Sequence, residues 1–372
     1  MVHERKDLPM LQSIQKKVNT GLVINRDEAQ WLYLYAQEED LSTLATQVKS
    51  RFHPPFDASY LIMAIVNYTN VCVAACDYCS FYRLPHEKEA YLKSFDEVCE
   101  KVEKLRSFGG TLAGFNGGFH PKLKIQDYAD LFHNLHLKFP DMTFYEMTVA
   151  EFMFSCKVSK ITYKSGAQIL KAAGTEWVTG GGAEVLDDAF RKRHSPGKYT
   201  VDDYFKAQAA LLETGIGSTA TMVIGFDETL DERLNHLERL RSFQESQTNK
   251  LTSFLCWTYK PYANKFGGKE ISQKEYLRWL AVCRIYLYNF AHIRTSVLTQ
   301  NEGALLGLKY GANDFDIPIE DEVTQKAGAV ITLNFDSLLQ TARNEGFNVR
   351  NRLPFKPYNI SNLPFSSERI SQ

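Results

Sequence analysis

The sequence lacks any apolar run long enough to cross a membrane and any strong excess of one charge. Its longest apolar stretch, at about residues 61–66, is far shorter than the ~20 residues that span a bilayer as a helix. Lysine and arginine number 43 against 44 aspartate and glutamate, whereas bulk nucleic-acid binders are usually basic. Residues 1–11 mix charges and lack the apolar core of a signal peptide. We therefore expect a cytoplasmic protein that neither inserts into a membrane nor binds nucleic acid.

Cysteine is also scarce, and three of the seven cysteines lie in one short segment. Cys72, Cys76 and Cys79 form a Cys-x3-Cys-x2-Cys triplet directly after the apolar run. Three thiolates this close suit a four-iron cluster whose fourth iron stays open, and the spacing favours this interpretation. A closed zinc site, with His86 as the nearest fourth ligand, and unrelated buried cysteines are the alternatives. The other four cysteines are scattered along the chain, which indicates reduced thiols rather than disulfides. They are Cys99, Cys156, Cys256 and Cys283.

Short apolar runs alternate with amphipathic segments from residue 60 onward. The runs predicted as strands are residues 60–66, 111–115, 142–147, 176–178, 218–226, 251–257 and 293–298. Capping-box patterns mark helix starts at the junctions: Ser94-x-x-Glu97, Thr200-x-x-Asp203, Thr229-x-x-Glu232 and Ser272-x-x-Glu275. Repeated strand–helix units predict an α/β fold in which a parallel sheet closes into a (β/α) TIM-type barrel.

The barrel accounts for the middle of the chain. Residues 1–55 predict an N-terminal helical extension, residues 56–330 the barrel, and residues 331–372 a C-terminal helix and an arm packed on the barrel. In such a barrel, functional groups gather where strands end and the following loops begin. The cysteine triplet falls at such a point, as do Asn116-Gly-Gly118 and Gly180-Gly-Gly-Ala-Glu184.

The residues around the cysteines resemble those of a known enzyme family. Tyr78 precedes the last cysteine, and Asn67-Tyr-Thr-Asn-Val precedes the first. The pattern resembles the radical S-adenosylmethionine (SAM) enzymes, in the branch that holds the futalosine enzymes of menaquinone biosynthesis and the two halves of deazaflavin (F0) synthase. Within that branch, residues 180–184 look most like the corresponding motif of cyclic dehypoxanthine futalosine synthases. The resemblance covers roughly residues 20–355.

The resemblance implies a radical SAM cyclase with a [4Fe–4S] cluster on the cysteine triplet and SAM on the open iron. The implied substrate is dehypoxanthine futalosine, whose ribose loses a hydrogen atom before a ring closes on the benzoate. The implied electron donor is a low-potential protein such as flavodoxin or ferredoxin. The residues implied to contact SAM or substrate are Tyr78, Asn116, Gly117, Gly118, Glu151, Gly182, Glu184 and Ile224. Candidates for the base that accepts a proton are Glu184, Asp314 and His120.

Each implied contact has an ordinary structural alternative. A glycine pair suits a tight turn, a glutamate suits the first turn of a helix, and the apolar strand that contains Ile224 suits the core. His120 precedes Pro121 and is favoured as a surface residue. Arg191 or Arg193 could pair with the benzoate, although a solvated basic face is the favoured interpretation.

One segment departs from the resemblance. After Gly311-Ala-Asn-Asp-Phe315 the related enzymes continue with small residues, whereas Asp316-Ile-Pro318 stand here. We interpret this difference as a loop that is one residue shorter than in the related enzymes. The identity of the substrate is therefore open. A sister enzyme, either aminofutalosine synthase or a deazaflavin synthase half, is therefore a second hypothesis. A non-catalytic, metal-stabilised barrel that binds a partner is the third.

Overall fold

The computed structural model describes residues 4–248 and 250–352, with side chains from Pro9 onward. Eight of its strands form a closed barrel, because β1 pairs with both β2 and β8 and every neighbouring pair is parallel. These strands are β1 (Asp57–Val66), β2 (Leu112–Phe115), β3 (Thr143–Thr148), β4 (Trp177–Thr179), β5 (Gly217–Ile224), β6 (Leu251–Thr258), β7 (His292–Thr295) and β8 (Asp314–Asp321). The predicted TIM-type α/β barrel is confirmed.

Ten helices of the described chain follow the barrel strands. They are α4 (Phe95–Ser107), α5 (Ile125–Lys138), α6 (Val149–Ser159), α7 (Tyr163–Ala172), α8 (Asp188–His194), α9 (Val201–Glu213), α10 (Leu230–Ser246), α11 (Gln273–Tyr286), α12 (Val297–Gln300) and α13 (Glu322–Lys326). The four predicted helix starts are confirmed, since each capping side chain accepts the N–H three residues later. A 3-10 segment, Asn301–Tyr310, follows α12.

Three helices precede the barrel: α1 (Glu4–Asn19), α2 (Arg26–Tyr35) and α3 (Glu38–Lys49). The second and third pack on α11. Arg278 of α11 donates to the main-chain oxygens of Leu32 and Ala36 at 3.0 and 2.6 Å, and it pairs with Glu38 at 3.1 Å. The guanidinium therefore satisfies the free carbonyls at the end of α2 and ties the N-terminal helices to the barrel.

The chain returns to the barrel through α14 (Phe335–Asn344) and β9 (Asn348–Asn351). Strand β9 pairs in parallel with residues 57–60 of β1, whereas β2 pairs with residues 63–66. It therefore fills the part of the β1 edge that β2 leaves open. The end of the predicted C-terminal arm, after residue 352, lies outside the described residues. Among the described helices, none is both long and apolar enough to span a bilayer.

The segment interpreted as a shortened loop is the eighth barrel strand. Asp316 and Pro318 lie within β8, in register with Leu61 and Met63 of β1. Polar Asp314 and Asp316 alternate with apolar Phe315 and Ile317, so the segment has the period of a strand with one polar face. That face points into the barrel rather than to solvent, which is why the pattern was mistaken for a loop.

Two helices and one strand end were also missed by the sequence analysis. Helix α6 starts at a capping box in which Thr148 and Glu151 bond each other's main chain, a pattern present in the sequence but not used. The short α8 is capped by Asp187. Strand β7 ends at Thr295, so residues 297 and 298 of the predicted strand 293–298 lie in α12 instead.

Candidate active site

The barrel encloses a cavity at the end where the carboxyl ends of β1–β8 meet, which we call the mouth. The cavity has a volume of about 240 Å³. Its wall includes Tyr78 and Cys79 from the loop after β1, Asn116 after β2, and Gly182 and Glu184 after β4. The fold therefore brings five sequence-predicted site residues, from three separate loops, to one cavity.

The loop after β1, residues 67–83, carries the three cysteines and is called the cysteine loop. Its two ends are joined where the Cys72 N–H donates to the Arg83 carbonyl oxygen at 3.0 Å. Gly118, after β2, packs directly against it, because an added Cβ would lie 2.4 Å from the Val71 carbonyl oxygen. The lack of a side chain at Gly118 thus allows the first two loops of the mouth to touch.

The three thiols of the cysteine loop are free, with Cys76 buried and Cys72 and Cys79 half-buried. Burial raises the pKa of the Cys79 thiol to about 12 and also raises that of Cys76. Within the described ranges, no three His, Cys, Asp or Glu side chains converge closely enough to hold one metal ion. A cluster of several irons is wider than one ion and needs its thiolates farther apart. Buried thiolates also need an opposing charge, which such a cluster supplies.

Glu184 lies beside the cysteine loop and pairs with Lys198, whose amine is 2.8 Å from Oε2. The same amine donates to the Tyr78 hydroxyl at 3.2 Å. Burial alone would lower the pKa of Lys198, but the charge of Glu184, with Tyr78 and Cys76, raises it well above its usual range. A charged lysine therefore links the predicted carboxylate to the cysteine loop.

The backbone at Glu184 is strained, with φ at +41°, and Gly182 before it has φ at +82°. A Cβ on Gly182 would lie 2.3 Å from the Ala150 Cβ, so only glycine fits at that position. The Tyr199 hydroxyl donates to the Gly182 carbonyl oxygen and holds the turn from outside. Such strain concentrates at functional sites, and here it directs the Glu184 carboxylate to the cavity wall.

Glu151, predicted to contact SAM, is enclosed by protein instead. One oxygen accepts the Tyr68 hydroxyl and the Gly117 N–H, the latter at 2.8 Å. The other accepts the N–H and the hydroxyl of Thr148 at 3.0 and 2.7 Å. Burial raises the pKa of Glu151, and these hydrogen bonds oppose the rise. The carboxylate joins the loop after β2 to α6, and the structure does not support it as a cofactor ligand.

The Asn116-Gly117-Gly118 turn contributes only its first residue to the described cavity wall. The Asn116 carbonyl oxygen accepts the Asn67 amide at 2.8 Å, which fixes the turn against the end of β1. A Cβ on Gly117 would lie 2.7 Å from the Tyr68 ring. The two glycines therefore allow a tightly packed turn, which was the alternative to a cofactor contact. A contact between their backbone and SAM stays a prediction.

Strand β5 presents different side chains to the cavity from the one predicted. Thr219, Thr221 and Val223 line the cavity, whereas Ile224 is fully buried in the main core. Successive side chains of a strand point to opposite faces, so Ile224 faces the surrounding helices. Ile224 therefore lies outside the described cavity wall, because both faces of this strand are buried and the sequence did not reveal which one faces inward. A contact between Ile224 and the cofactor stays a prediction.

Asp314, one of the candidate bases, lies at the start of β8, far from the strand ends that form the mouth. Its Oδ2 pairs with Arg294 at 3.0 Å and with Arg352 at 2.8 Å. Burial alone would raise the pKa of Asp314, but the charges of Arg352 and Arg294 hold it below its usual range. The structure gives Asp314 a charge-pairing role and does not support it as a base.

His120, another candidate base, lies in the turn between β2 and α5. Its Nδ1 accepts the Lys122 N–H at 3.3 Å, and it is absent from the described cavity wall. Burial, followed by the charge of Lys122, lowers its pKa. The structure therefore supports the surface interpretation of His120 rather than a catalytic one.

The two arginines after the glycine motif face away from the cavity. Arg191 is buried and donates to the main-chain oxygens of Tyr199 and Ala183 at 3.0 and 2.8 Å. Arg193 is half-exposed and pairs with Glu232 at 2.7 Å. Arg191 thus fixes the strained turn, and neither arginine is placed to bind a substrate carboxylate in the cavity.

Sequence reasoning missed several cavity residues. Asp321 ends β8 and lines the cavity, but the strand itself had been taken as a loop. Lys198 lies outside the described cavity wall, and its pairing with Glu184 was also missed, although its side chain is only 8% exposed. Arg294 of β7 lines the deep part of the cavity. Asp321 and Arg294 could have been predicted only by recognising β7 and β8 as barrel strands, along which side chains alternate between the inward and the outward face.

Comparison with known proteins now identifies the family. A model described as the Radical SAM superfamily matches residues 66–240, and one described as the CofH/MqnC C-terminal region matches residues 250–366. A cyclic dehypoxanthine futalosine synthase of Halalkalibacterium halodurans is 32% identical, covering 90% of this chain and 91% of the relative. The chain belongs to the radical SAM superfamily. It is therefore an enzyme, as predicted.

Two further proteins are similar to this radical SAM enzyme. An aminodeoxyfutalosine synthase of Thermus thermophilus is also 32% identical, covering 86% of this chain and 88% of the relative. The solved structure of methylornithine synthase matches with a TM-score of 0.70 at 14% identity, covering 91% of this chain and 97% of that one. The structural match confirms the fold.

The cofactors of the superfamily are a [4Fe–4S] cluster and SAM, and they are the cofactors of this radical SAM enzyme. The residues at the mouth fit both groups. The buried, free thiols of one loop could hold the cluster. Next to them, the Glu184 carboxylate could accept an ammonium group, and the Tyr78 and Phe226 rings, 5.1 Å apart, could pack against an adenine.

Proposed function

We propose that this radical SAM enzyme converts dehypoxanthine futalosine into cyclic dehypoxanthine futalosine in menaquinone biosynthesis. The observation that carries the proposal is Glu184, which the glycine turn after β4 directs to the cavity wall beside the cysteine loop. The motif around it resembles that of the cyclases, and the Halalkalibacterium halodurans relative bears the name of this activity.

Cys72, Cys76 and Cys79 hold the cluster in this proposal. When bound, the cluster and SAM supply a 5′-deoxyadenosyl radical that removes a hydrogen atom from the substrate. The Glu184 carboxylate accepts hydrogen bonds from the ribose hydroxyls or from the SAM ammonium group. The enclosed barrel orients the reacting carbon and excludes water from it.

After ring closure on the benzoate, the resulting radical loses one electron and one proton, and two carboxylates line the cavity that could accept the proton. Glu184 is paired with Lys198 at 2.8 Å. Asp321 accepts the Val323 N–H at 3.1 Å, and burial raises its pKa to about 6. A proton acceptor works best with a pKa near the working pH. We propose Asp321 as a candidate base in addition to Glu184, and in place of Asp314 and His120.

A second candidate function is aminofutalosine synthase, the sister enzyme that joins two substrates. The observation that favours it is the Thermus thermophilus relative, which matches this chain at the same 32% identity as the cyclase. Two relatives named 5-amino-6-(D-ribitylamino)uracil–L-tyrosine 4-hydroxyphenyl transferase match less closely, at 28% identity. The non-catalytic barrel is set aside because the chain belongs to a family of enzymes.

The electron donor and the compartment follow from the same proposal. We propose a low-potential protein such as flavodoxin or ferredoxin as donor. We place the enzyme in the cytoplasm, because all seven cysteines are free thiols and a reducing compartment keeps them so.

The deciding experiment is anaerobic turnover of the reconstituted enzyme with SAM, a reductant and dehypoxanthine futalosine, followed by mass spectrometry. We expect a product lighter than the substrate by two hydrogens, together with 5′-deoxyadenosine. Unchanged substrate beside 5′-deoxyadenosine would reject the cyclase. A parallel reaction with the substrates of aminofutalosine synthase would then show whether the sister activity is present.

A further inference from the structure

The cysteine loop is covered by protein on one side and open on the other. On the covered side, the Asp77 carbonyl oxygen accepts the N–H groups of Lys265 and Phe266, from the segment after β6, at 2.9 and 3.0 Å. On the other side, the Val73 N–H donates to the Phe119 carbonyl oxygen at 3.1 Å, and Val73 is 40% exposed. An apolar side chain between the first two cysteines is therefore in contact with solvent.

A second cavity lies next to the open side of the cysteine loop and is called the side pocket. Its volume is about 460 Å³, and its wall includes Phe119 after β2, Phe154 of α6, Tyr163 of α7, and Gly197. The Phe119 and Phe154 rings are stacked, with centroids 4.7 Å apart. A Cβ on Gly197 would lie 2.9 Å from the Ala74 carbonyl oxygen. The wall of the side pocket therefore touches the cysteine loop.

A packed apolar cluster joins the side pocket to the three thiols. Phe119 and Cys76 belong to one small buried cluster, and Phe154 packs against it together with Cys72 and Cys79. Side chains that line the side pocket are thus in the same cluster as the cysteines. A partner that docks here brings its redox group close to an iron–sulfur cluster on these thiols, while the mouth stays free for SAM and substrate.

The surface around the side pocket is basic. Residues 152–175, which include α7 and most of α6, contain four lysines and no aspartate or glutamate. Lys157 lines the side pocket, and Lys160 and Lys164 flank residues 161–163 of its wall. All three lysines are exposed. A ring of positive charge therefore borders the aromatic wall.

These three lysines lack a counter-charge. Within residues 9–248 and 250–352, whose side chains are described, no carboxylate forms an ion pair with any of them. Asp203, the carboxylate of the side-pocket wall, pairs instead with Lys206 at 3.5 Å. Transient interfaces commonly combine an apolar centre with a charged rim, and the rim attracts partners of opposite charge. The face around the side pocket has both parts of such an interface.

We propose that an acidic flavodoxin docks on this face, with its flavin edge at the side pocket and its carboxylates against Lys157, Lys160 and Lys164. The choice of partner rests on the electron donor of the proposed function. A planar flavin suits a wall of stacked rings. The transferred unit is one electron: the flavin is oxidised from its hydroquinone to its semiquinone, and the same electron reduces the cluster.

The test measures the rate of cluster reduction against the concentration of reduced flavodoxin, by anaerobic stopped-flow absorbance of the reconstituted enzyme with SAM. Lys157→Glu should raise the KM for flavodoxin about 10-fold, because like charges then face each other. Reduction by dithionite, a small chemical reductant, should keep its rate. Lys250→Glu is the matched control, since this exposed lysine directly precedes β6 at the opposite end of the barrel, and it should retain the wild-type KM.

Binding without electron transfer is the second readout. Oxidised flavodoxin, titrated calorimetrically, should bind the wild type and Lys250→Glu about 10-fold more tightly than Lys157→Glu. Added salt should weaken the wild-type complex, because it screens charges at the surface. Unchanged affinity and KM in Lys157→Glu would overturn the docking face. A loss of dithionite reduction equal to the loss with flavodoxin would also overturn it, since the substitution would then act on the cluster itself.

Neither readout involves dehypoxanthine futalosine, so this inference and the proposed function fail separately. A flavodoxin reaction that depends on Lys157 but yields no cyclised product in the turnover experiment would reject the proposed function and keep the docking face. A reduced ferredoxin that reduces the wild type, where flavodoxin does not, would overturn flavodoxin as the partner.

Discussion

The mouth of the barrel and the opposite end of its interior, where Asp314, Arg294 and Arg352 meet and which we call the floor, both bury charged groups but hold them differently. At the mouth, Glu184 has its own cation, Lys198, and lies on a backbone strained to a φ of +41°. At the floor, Asp314 lies in a regular strand and is shared by two arginines. The mouth uses irregular loops to place groups one by one, whereas the floor uses the strand register to concentrate charge. A residue on a loop, such as Glu184, can therefore serve a ligand, whereas a residue in a strand, such as Asp314, also holds the barrel together.

The largest expected effect is at the mouth. Cys76→Ala should abolish both cluster assembly and turnover, because two thiolates cannot complete the set of three. Iron content and the absorbance of the reconstituted protein report the cluster, and 5′-deoxyadenosine formation reports the activity. Cys99→Ala, a buried cysteine of α4, is the control and should retain both. Turnover by the Cys76 variant would refute the role of the cysteine loop.

The floor should respond in stability rather than in cofactor chemistry. Asp314→Asn leaves two buried guanidinium groups without their carboxylate, and we expect a loss of about 3–5 kcal/mol in the free energy of unfolding. Urea titration measures it. Asp57→Asn is the control, since its partner Arg350 is 72% exposed and such pairs contribute below about 1 kcal/mol. Equal losses in both variants would remove the distinction between a buried and an exposed pair.

A smaller effect is expected when the mouth keeps its shape but loses one charge. Glu184→Gln should lower kcat/KM about 100-fold, because charge-assisted hydrogen bonds to the ligand are replaced by neutral ones. The unfolding midpoint should also fall, because the change leaves the buried Lys198 amine without its carboxylate. His120→Ala, in a turn outside the cavity wall, should stay within a few-fold of the wild type. A His120 variant as impaired as Glu184→Gln would show that the site extends to that turn.

The smallest effect concerns pH and lies beneath the floor. Burial, and next the charge of Arg284, lower the pKa of Lys49 to about 7. Between that value and its usual range, the unfolded chain binds more protons than the folded one, so the free energy of unfolding rises with pH. From pH 7 to pH 9 the contribution is about 2 kcal/mol.

Lys49→Met should remove that part of the rise and leave the rest of the pH profile unchanged. Urea unfolding of both proteins at the two pH values measures the difference. Identical slopes for wild type and variant would show that the amine is not discharged in the folded protein.

The sequence was sufficient for the parts of the molecule that depend on local patterns. Helix starts such as Ser94 and Thr229 were predicted correctly because a capping box depends on only four consecutive residues. The cysteine loop and the turn before Glu184 were found because cysteine and glycine have few other reasons to cluster. The mouth, built from loops, was therefore largely accessible to sequence reasoning.

The floor was not accessible, because its residues depend on which face of a strand points inward. In β8 the inward face is polar, so Asp314 and Asp316 looked like a loop. In β5 both faces are buried, so Ile224 was chosen where Thr221 and Val223 line the cavity. Arg294 meets Asp314 only through the pairing of β7 with β8, which no local pattern encodes.

The pairing of β9 with β1 bears on the order in which the barrel forms. Asp57 and Asn348 are 291 residues apart in sequence, yet they are neighbours in the sheet, and the next residues bring Arg352 to Asp314. Contacts this distant form late, since loop closure must precede them. During synthesis, residues 57–60 of the first strand remain unpaired on this edge until almost all the described chain has been made. A nascent chain truncated before residue 348 would therefore present that edge to chaperones or to other chains.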